Sequence, residues 1–324
     1  MQQKTDAQAD KQQGSRKVIY AAIVANLGIA AAKFVVAMLS GSAAMLAEGI
    51  HSAVDTGNEL LLLVGEKMSN LPPSPRHPFG FGKAVYFWAL IVALSIFTLG
   101  GGLSIYHGVQ ALRHPEAMED PTWNYVVLAI AACFEGYSWN VSRKELNQRR
   151  KPGSSLWQTV HASKDASVFT VFIEDSTALI GLVIAALGIF LGQVFENPYF
   201  DPAASVAVGL LLVAAAVTLA RETGGLLVGE GIGREQTGKL RDIFCSDPSI
   251  LTVGRLLTMQ LGPEEVLLTA AVQFKRGMRI DEVEQAIDRL ESKVRDAFPT
   301  IQHIYFKSAG LRGEAEVSAA QPPC

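Results

Sequence analysis

The sequence predicts two folded parts: a bundle of six membrane-crossing helices and, after it, a small α+β domain of helix–strand–strand–helix–strand order. Three observations carry this reading. Of the 324 residues, 49% are hydrophobic and only 18% charged, with a positive mean hydropathy of +0.24, whereas soluble domains carry about 25% charged residues. Six apolar stretches of helical length are separated by turn-forming clusters. Beyond Gly233 the apolar pattern changes to one of short strands and an amphipathic helix.

A hydrocarbon core about 30 Å thick needs roughly 20 apolar residues in a helix. The stretches of that length are Val18–Leu39, Ala43–Met68, Ala84–Leu112, Trp123–Val141, Ala166–Leu191 and Ala203–Val228. Between them stand SGSA, LPPSPRHPFGFG, RHPEAMEDP, KPGSS and ENPYFDP, rich in the Pro and Gly that stop helices. Residues 1–17 are polar and lack the apolar core of a signal peptide, so the first span is expected to remain in the mature protein.

Lysine and arginine set the orientation. The N-terminal tail holds Lys4, Lys11, Arg16 and Lys17. The second-to-third connection holds Lys67, Arg76 and Lys83, and the fourth-to-fifth holds six basic residues from Arg143 to Lys164. The other three connections contain only Arg113. Both termini are therefore expected in the cytosol of a multi-pass protein, with a bacterial inner or plasma membrane as the expected host.

In the last part, a short helix leads into strands at Ile250–Met259 and Val266–Phe274. The second strand alternates, with Val266, Leu268, Ala270, Val272 and Phe274 on one face. A helix over Asp281–Phe298 places Val283, Ile287, Leu290, Val294 and Phe298 on one stripe, and Ile301–Phe306 reads as a last strand. That αββαβ order is the ferredoxin-like arrangement. The expected division is a tail over 1–17, a membrane domain over 18–230, a cytosolic domain over 234–311 and a disordered tail over 312–324. The net charge of −3 says little about partners, and with no basic stripe to point to it nucleic acid is not expected as one. Cys133, Cys245 and Cys324 form no CxxC pair or metal-finger spacing.

The chemistry lies in the second span, AMLAEGIHSAVDTGNELLLLVG. His51 and Asp55 are four apart and share a helix face; Glu48 and Asn58 fall on that face, and Glu59 lies at its border. Each Asp-like residue in a bilayer costs roughly 2.5–3.5 kcal/mol on insertion scales. Such a stripe must therefore face a cavity, its own members or a bound cation. The fifth span repeats the theme with Glu174 and Asp175 in VFTVFIEDSTALIGLVIA. Imidazole and carboxylates from two helices supply N and O donors to a borderline metal such as Zn²⁺. A histidine titrating near neutral pH makes exchange of metal for protons chemically reasonable. Packing or folding contacts are the plainer reading of any single carboxylate. Glu48 and Asn58 are expected to hold His51 and Asp55 in place, and Lys33 in the first span is expected to snorkel rather than pair.

With GSAAMLAEGIHSAVDTGNE, RHPFGFGKAVYFWAL, DPAASVAVGLLL, LLVGEG, TMQLGPEEVLLTAAVQF and DEVEQAIDRLESKVRDAFP, the chain resembles the cation diffusion facilitator family over about residues 16–308. The resemblance implies a homodimer in the lipid bilayer whose protomers each exchange Zn²⁺, or a related divalent ion, for protons between spans two and five. Zn²⁺ is then cargo, with Co²⁺, Ni²⁺, Fe²⁺ or Mn²⁺ as other candidates, and no organic cofactor is expected. His51 and Asp55 match the family's second-span ligands, and a histidine there is the zinc-type pattern. The fifth-span motif departs from the family's HxxxD: the histidine position is Val171 if Asp175 is the terminal Asp, or Thr170 if Glu174 is. The adjacent Glu174–Asp175 pair resembles a divergent branch that includes a mitochondrial zinc transporter of animals. Asp175 is expected to ligate, with Glu174 completing the shell or handling protons.

His77 matches one ligand of a loop site found in some members, but Phe81 and Ser74 replace the others, so His77 is expected to pack the loop. With His303 alone, and Gln260 where a ligand might stand, the cytosolic domain reads as a dimerisation module. His161 is the one histidine of the fourth-to-fifth loop. Two other functions compete with export: a transport-poor regulatory or assembly subunit, prompted by the missing histidine, and a membrane metallohydrolase, for which no HExxH-type motif is present.

Overall fold

A computed structural model describes residues 26–115, 121–148, 150 and 153–308. The expected tails over 1–17 and 312–324 and the start of the first span lie outside the described residues. The helices are α1, described over Asn26–Ser40, α2 (Ala43–Ser69), α3 (Ala84–Ser95), α4 (Leu103–Arg113), α5 (Thr122–Gln148), α6 (Leu156–Ala162), α7 (Ala166–Val194), α8 (Phe200–Val228), α9 (Arg234–Cys245) and α10 (Ile280–Ala297). The strands are β1 (Ile250–Gly262), β2 (Glu265–Phe274) and β3 (Ile301–Ser308). The chain forms two compact units. Of the described residues, one takes those up to Glu66 with those between Phe87 and Thr223; the other takes Lys67–Tyr86 with those from Gly224 onward.

Among the described residues, three helical stretches are both long and apolar enough to cross a membrane: Ala84–Arg113, Ala166–Val194 and Phe200–Val228. Helices α2 and α5, at 27 residues each, have the length for it at 1.5 Å rise per residue. They fall short in apolarity because both carry polar and charged side chains. The expected third span is not one α-helix. Its IFTLGGG stretch, Ile96–Gly102, is π-helical between α3 and α4, a local widening that often marks functional positions. The glycines there allow close helix approach: a Cβ on Gly101 would stand 3.0 Å from the Gly209 carbonyl oxygen of α8.

The first unit is built inside out relative to a soluble protein. Large apolar side chains face outward, as with Leu27, Val35 and Met38 on α1 and Val183 and Leu187 on α7, while Lys33, Glu48, His51 and Asn58 are buried. Lipid accepts the apolar exterior, and the polar interior must satisfy itself. Small and aliphatic residues of five helices form its core, among them Ile29, Val36, Met45, Leu128, Ala131, Leu182 and Ala204. Asp201 of α8 fastens the start of α2. Its carboxylate accepts from the Ser42 hydroxyl at 2.6 Å and from the Ala43 and Ala44 amides at 2.6 and 3.3 Å, donors that the first turn of a helix leaves free. The short α6 was not expected, although Ser155 and Gln158 form the reciprocal cap that starts it.

In the second unit the sheet runs β1-β2-β3, with β1 antiparallel to β2 and β2 parallel to β3. The alternation read on β2 reappears as burial: Val266, Leu268, Ala270 and Val272 are at most 1% exposed. They join Leu240 and Phe244 of α9 and Leu290 and Val294 of α10 in one core. Ala286 is buried on α10, where the stripe had placed Val283 and Ile287; both are half-buried. The His77 ring lies on Phe81 with centroids 4.3 Å apart. His303 pairs with Glu265 at 2.8 Å and meets the edge of Phe79. Gln260 is buried and donates to the carbonyl oxygens of Gly262 and Pro263. His161 of α6 pairs with Glu222 at 2.5 Å.

Candidate cation site

One helical turn separates successive polar residues along α2, so Glu48, Ser52, Asp55 and Glu59 run down one side of it. From Ser52 onward they reach a cavity of about 40 Å³ walled by four helices. Its polar lining is Asn26 from α1, Ser52, Asp55 and Glu59 from α2, Glu135 and Ser138 from α5, and Glu174 and Asp175 from α7. That volume holds about one water molecule or a dehydrated ion.

The expected residues divide into those on the wall and those behind it. Asp55, Glu174 and Asp175 line the cavity. His51 stands behind Asp55, 2% exposed, with Nδ1 3.2 Å from Asp55 Oδ2 as an ion-pair contact; neither ring nitrogen has a hydrogen-bond partner among the described residues. Neighbours on a helix point about 100° apart, and the ED pair uses that divergence. Glu174 turns to α2, where Asn58 donates to its Oε1 at 2.8 Å. Asp175 turns to α5, where Ser138 and Ser142 donate to it at 2.8–3.1 Å. Asn58 thus holds Glu174 rather than His51 or Asp55.

Glu48 and Lys33 depart from expectation together. Lys33 does not snorkel: it is 1% exposed, its Nζ lies 3.0 Å from Glu48 Oε2 and it donates to Ser52 Oγ at 2.7 Å. Glu48 therefore serves Lys33 rather than His51 and Asp55. A Cβ on Gly181 of α7 would come within 2.6 Å of Glu48 Oε1, so a larger residue there would push the carboxylate aside. A lysine within a membrane span can reach the interface or pair, and a bilayer interior favours pairing once a carboxylate is in reach.

Sequence reasoning missed the α5 wall. Glu135, Ser138 and Ser142 stand at i, i+3 and i+7, the same helical stripe that revealed α2, and the period test would have found them. Asn26, which donates to Glu59 Oε1 at 2.8 Å, carried no comparable signal. Among the described residues, no three His, Cys, Asp or Glu side chains stand close enough to hold a metal as placed. The donors surround a space and do not converge on a point.

Residues 19–228 match the cation efflux transmembrane domain. The chain belongs to the cation efflux, or cation diffusion facilitator, family. The family match covers α1 to α8 and ends where α8 ends; with its apolar helices, this makes the chain a multi-pass membrane protein. It is similar to the mitochondrial proton-coupled zinc antiporter SLC30A9 of Homo sapiens, 36% identical over 81% of this chain and 46% of that protein. It is also similar to metal tolerance protein C4 of Arabidopsis thaliana, 26% identical over 90% of this chain and 73% of the relative. The manganese efflux system protein MneP of Bacillus subtilis is 22% identical over 91% of this chain and 96% of its own. The chain spans about half the length of the zinc antiporters it matches.

Proposed function

We propose that the protein exports a divalent metal cation, Zn²⁺ first among them, in exchange for protons by alternating access, and is not an enzyme. The observation that carries this reading is the meeting of Asp55 on α2 with Glu174 and Asp175 on α7 at one small cavity inside a cation-efflux membrane domain. Relatives named as a proton-coupled zinc antiporter and a manganese efflux protein support the substrate class and the counter-ion. Carboxylates and an imidazole must shed protons to bind a cation, so loading and proton release are one event. The donors stand apart around the cavity, and binding would draw α2 and α7 together. Co²⁺, Ni²⁺, Fe²⁺ and Mn²⁺ suit the same N/O chemistry.

Within this reading α1, α2, the α3–α4 helix, α5, α7 and α8 are the six spans, and residues 18–230 form the membrane domain. The αββαβ unit over 234–311 is a ferredoxin-like module that pairs two copies of the chain on the cytosolic side, where both termini lie. His51 and Asp55 act with Glu174 and Asp175 on the cation; Asn58 positions Glu174.

The test is flux into proteoliposomes across a panel of divalent ions, with a pH-sensitive dye inside. His51→Ala and Asp55→Ala are expected to abolish cation flux and the accompanying proton movement while leaving the protein folded; normal flux in both would sink the site. One observation favours a second reading. Val171, on the cavity wall, offers no donor, as expected of a transport-poor regulatory subunit. Flux above that of empty liposomes excludes it.

A further inference from the structure

The α7 wall of the cavity contains a gap in its chemistry. Val171 lines it one turn before Asp175, and a valine side chain can offer a cation nothing. Glu135 of α5 lines the same cavity. Every other carboxylate on the wall has a partner: Glu59 has Asn26, Glu174 has Asn58, Asp175 has two serines and Asp55 has His51. Glu135 forms no hydrogen bond or ion pair among the described residues. Its own helical stripe continues into Ser138 and Ser142, the residues that orient Asp175. In its charged form, a carboxylate placed in a membrane helix against a cavity with no protein partner is costly unless a cation satisfies it.

We propose that Glu135 is a third-helix ligand of the transported cation, supplying from α5 the donor that Val171 does not supply from α7. This rests on the transport reading above. It makes the binding set richer in oxygen than one with a histidine at Val171, because hard carboxylate replaces borderline imidazole. Such a set discriminates less sharply between Zn²⁺ and Mn²⁺.

The experiment is calorimetric titration of the purified full chain with Zn²⁺ and with Mn²⁺. Glu135→Gln is expected to weaken Zn²⁺ binding tenfold or more. Glu135→His, which exchanges an oxygen donor for nitrogen, is expected to raise the ratio of Zn²⁺ to Mn²⁺ affinity tenfold or more. That ratio responds to a change of donor and is insensitive to a general loss of folded protein. A Glu135→Gln protein that binds Zn²⁺ with less than a tenfold loss, or a Glu135→His protein whose ratio stays at the parent value, overturns the proposal. Asp55→Ala is the control that separates the two readings. If it loses Zn²⁺ while Glu135→Gln keeps it, only the α5 ligand falls; if it too binds Zn²⁺ as the parent does, the whole site falls.

Discussion

Two buried polar groups lie on the same helix, α2, and are built in opposite ways. At Glu48 the charge is closed: Lys33 answers it at 3.0 Å and donates a second hydrogen bond to Ser52 Oγ. At Asp55 the charge is open: four further carboxylates share its cavity, and among the described residues no lysine or arginine lines it. The comparison teaches that polarity inside a membrane helix is not one signal. The first group joins α1 to α2, whereas the second gathers carboxyl groups without a basic partner among the described residues, which is what the proposed cation site needs.

Breaking the closed group should give the largest effect on stability. Lys33→Met leaves Glu48 buried and unanswered, which costs about 3–5 kcal/mol; thermal unfolding of the detergent-solubilised protein measures it. Adding Glu48→Gln should recover most of the loss, and the absence of recovery would show that the pair is not what holds the two helices.

Next comes the tie between α2 and α7. Asn58→Ala removes a hydrogen bond to a charged group, worth about 2 kcal/mol, and frees Glu174. Melting should fall by that amount, and the KM for the cation should rise more than kcat falls, because on the proposed reading a ligand loses its orientation.

The open group should respond with the opposite character. Asp55→Asn removes one of several repelling carboxylates while loosening His51, so the net change in stability should stay below about 1 kcal/mol in either direction. Flux should nevertheless fall at least tenfold. A large loss of stability would make Asp55 a folding residue like Glu48.

The smallest effect belongs to a third buried carboxylate, in the αββαβ unit. Burial pushes the Asp247 carboxyl up, but hydrogen bonds from Ser249 and the charge of Arg289 outweigh it and hold it below the usual range. Lys293 stands 3.5 Å away as well. Because the folded value lies below the unfolded one, its contribution is present above about pH 4 and is lost as pH falls through the folded value. Acid should therefore lower the melting temperature of this unit, and Asp247→Asn should flatten that dependence.

Much of this was legible because period and composition report what a helix buries. The β2 alternation and the Leu290, Val294 and Phe298 part of the α10 stripe named core residues of the second unit, since a sheet on two helices has one face to fill, while Val283 and Ile287 ended half-buried. The HxxxD of α2 and the ED pair of α7 stood out as costly exceptions in apolar runs. The partners of those exceptions were not legible. Nothing in the sequence says that Lys33 reaches Glu48, fifteen residues away, because that depends on how α1 lies against α2. The α5 wall was legible by period, through Glu135, Ser138 and Ser142 on one stripe, but a lone acid among aromatics and two serines stand out less than the HxxxD of α2. The π-helical stretch was hidden because three consecutive glycines permit it without requiring it.

The Asp201 carboxylate has a mechanical consequence. Three hydrogen bonds pin the first residues of α2 to α8, so relative displacement of the two helices is least there and grows along α2 as along a lever. Asp55 lies about 18 Å from Ala43 at 1.5 Å rise per residue. A tilt of about 10° around that fulcrum would carry its carboxylate about 3 Å, comparable to the distance between a loose ring of donors and a closed one.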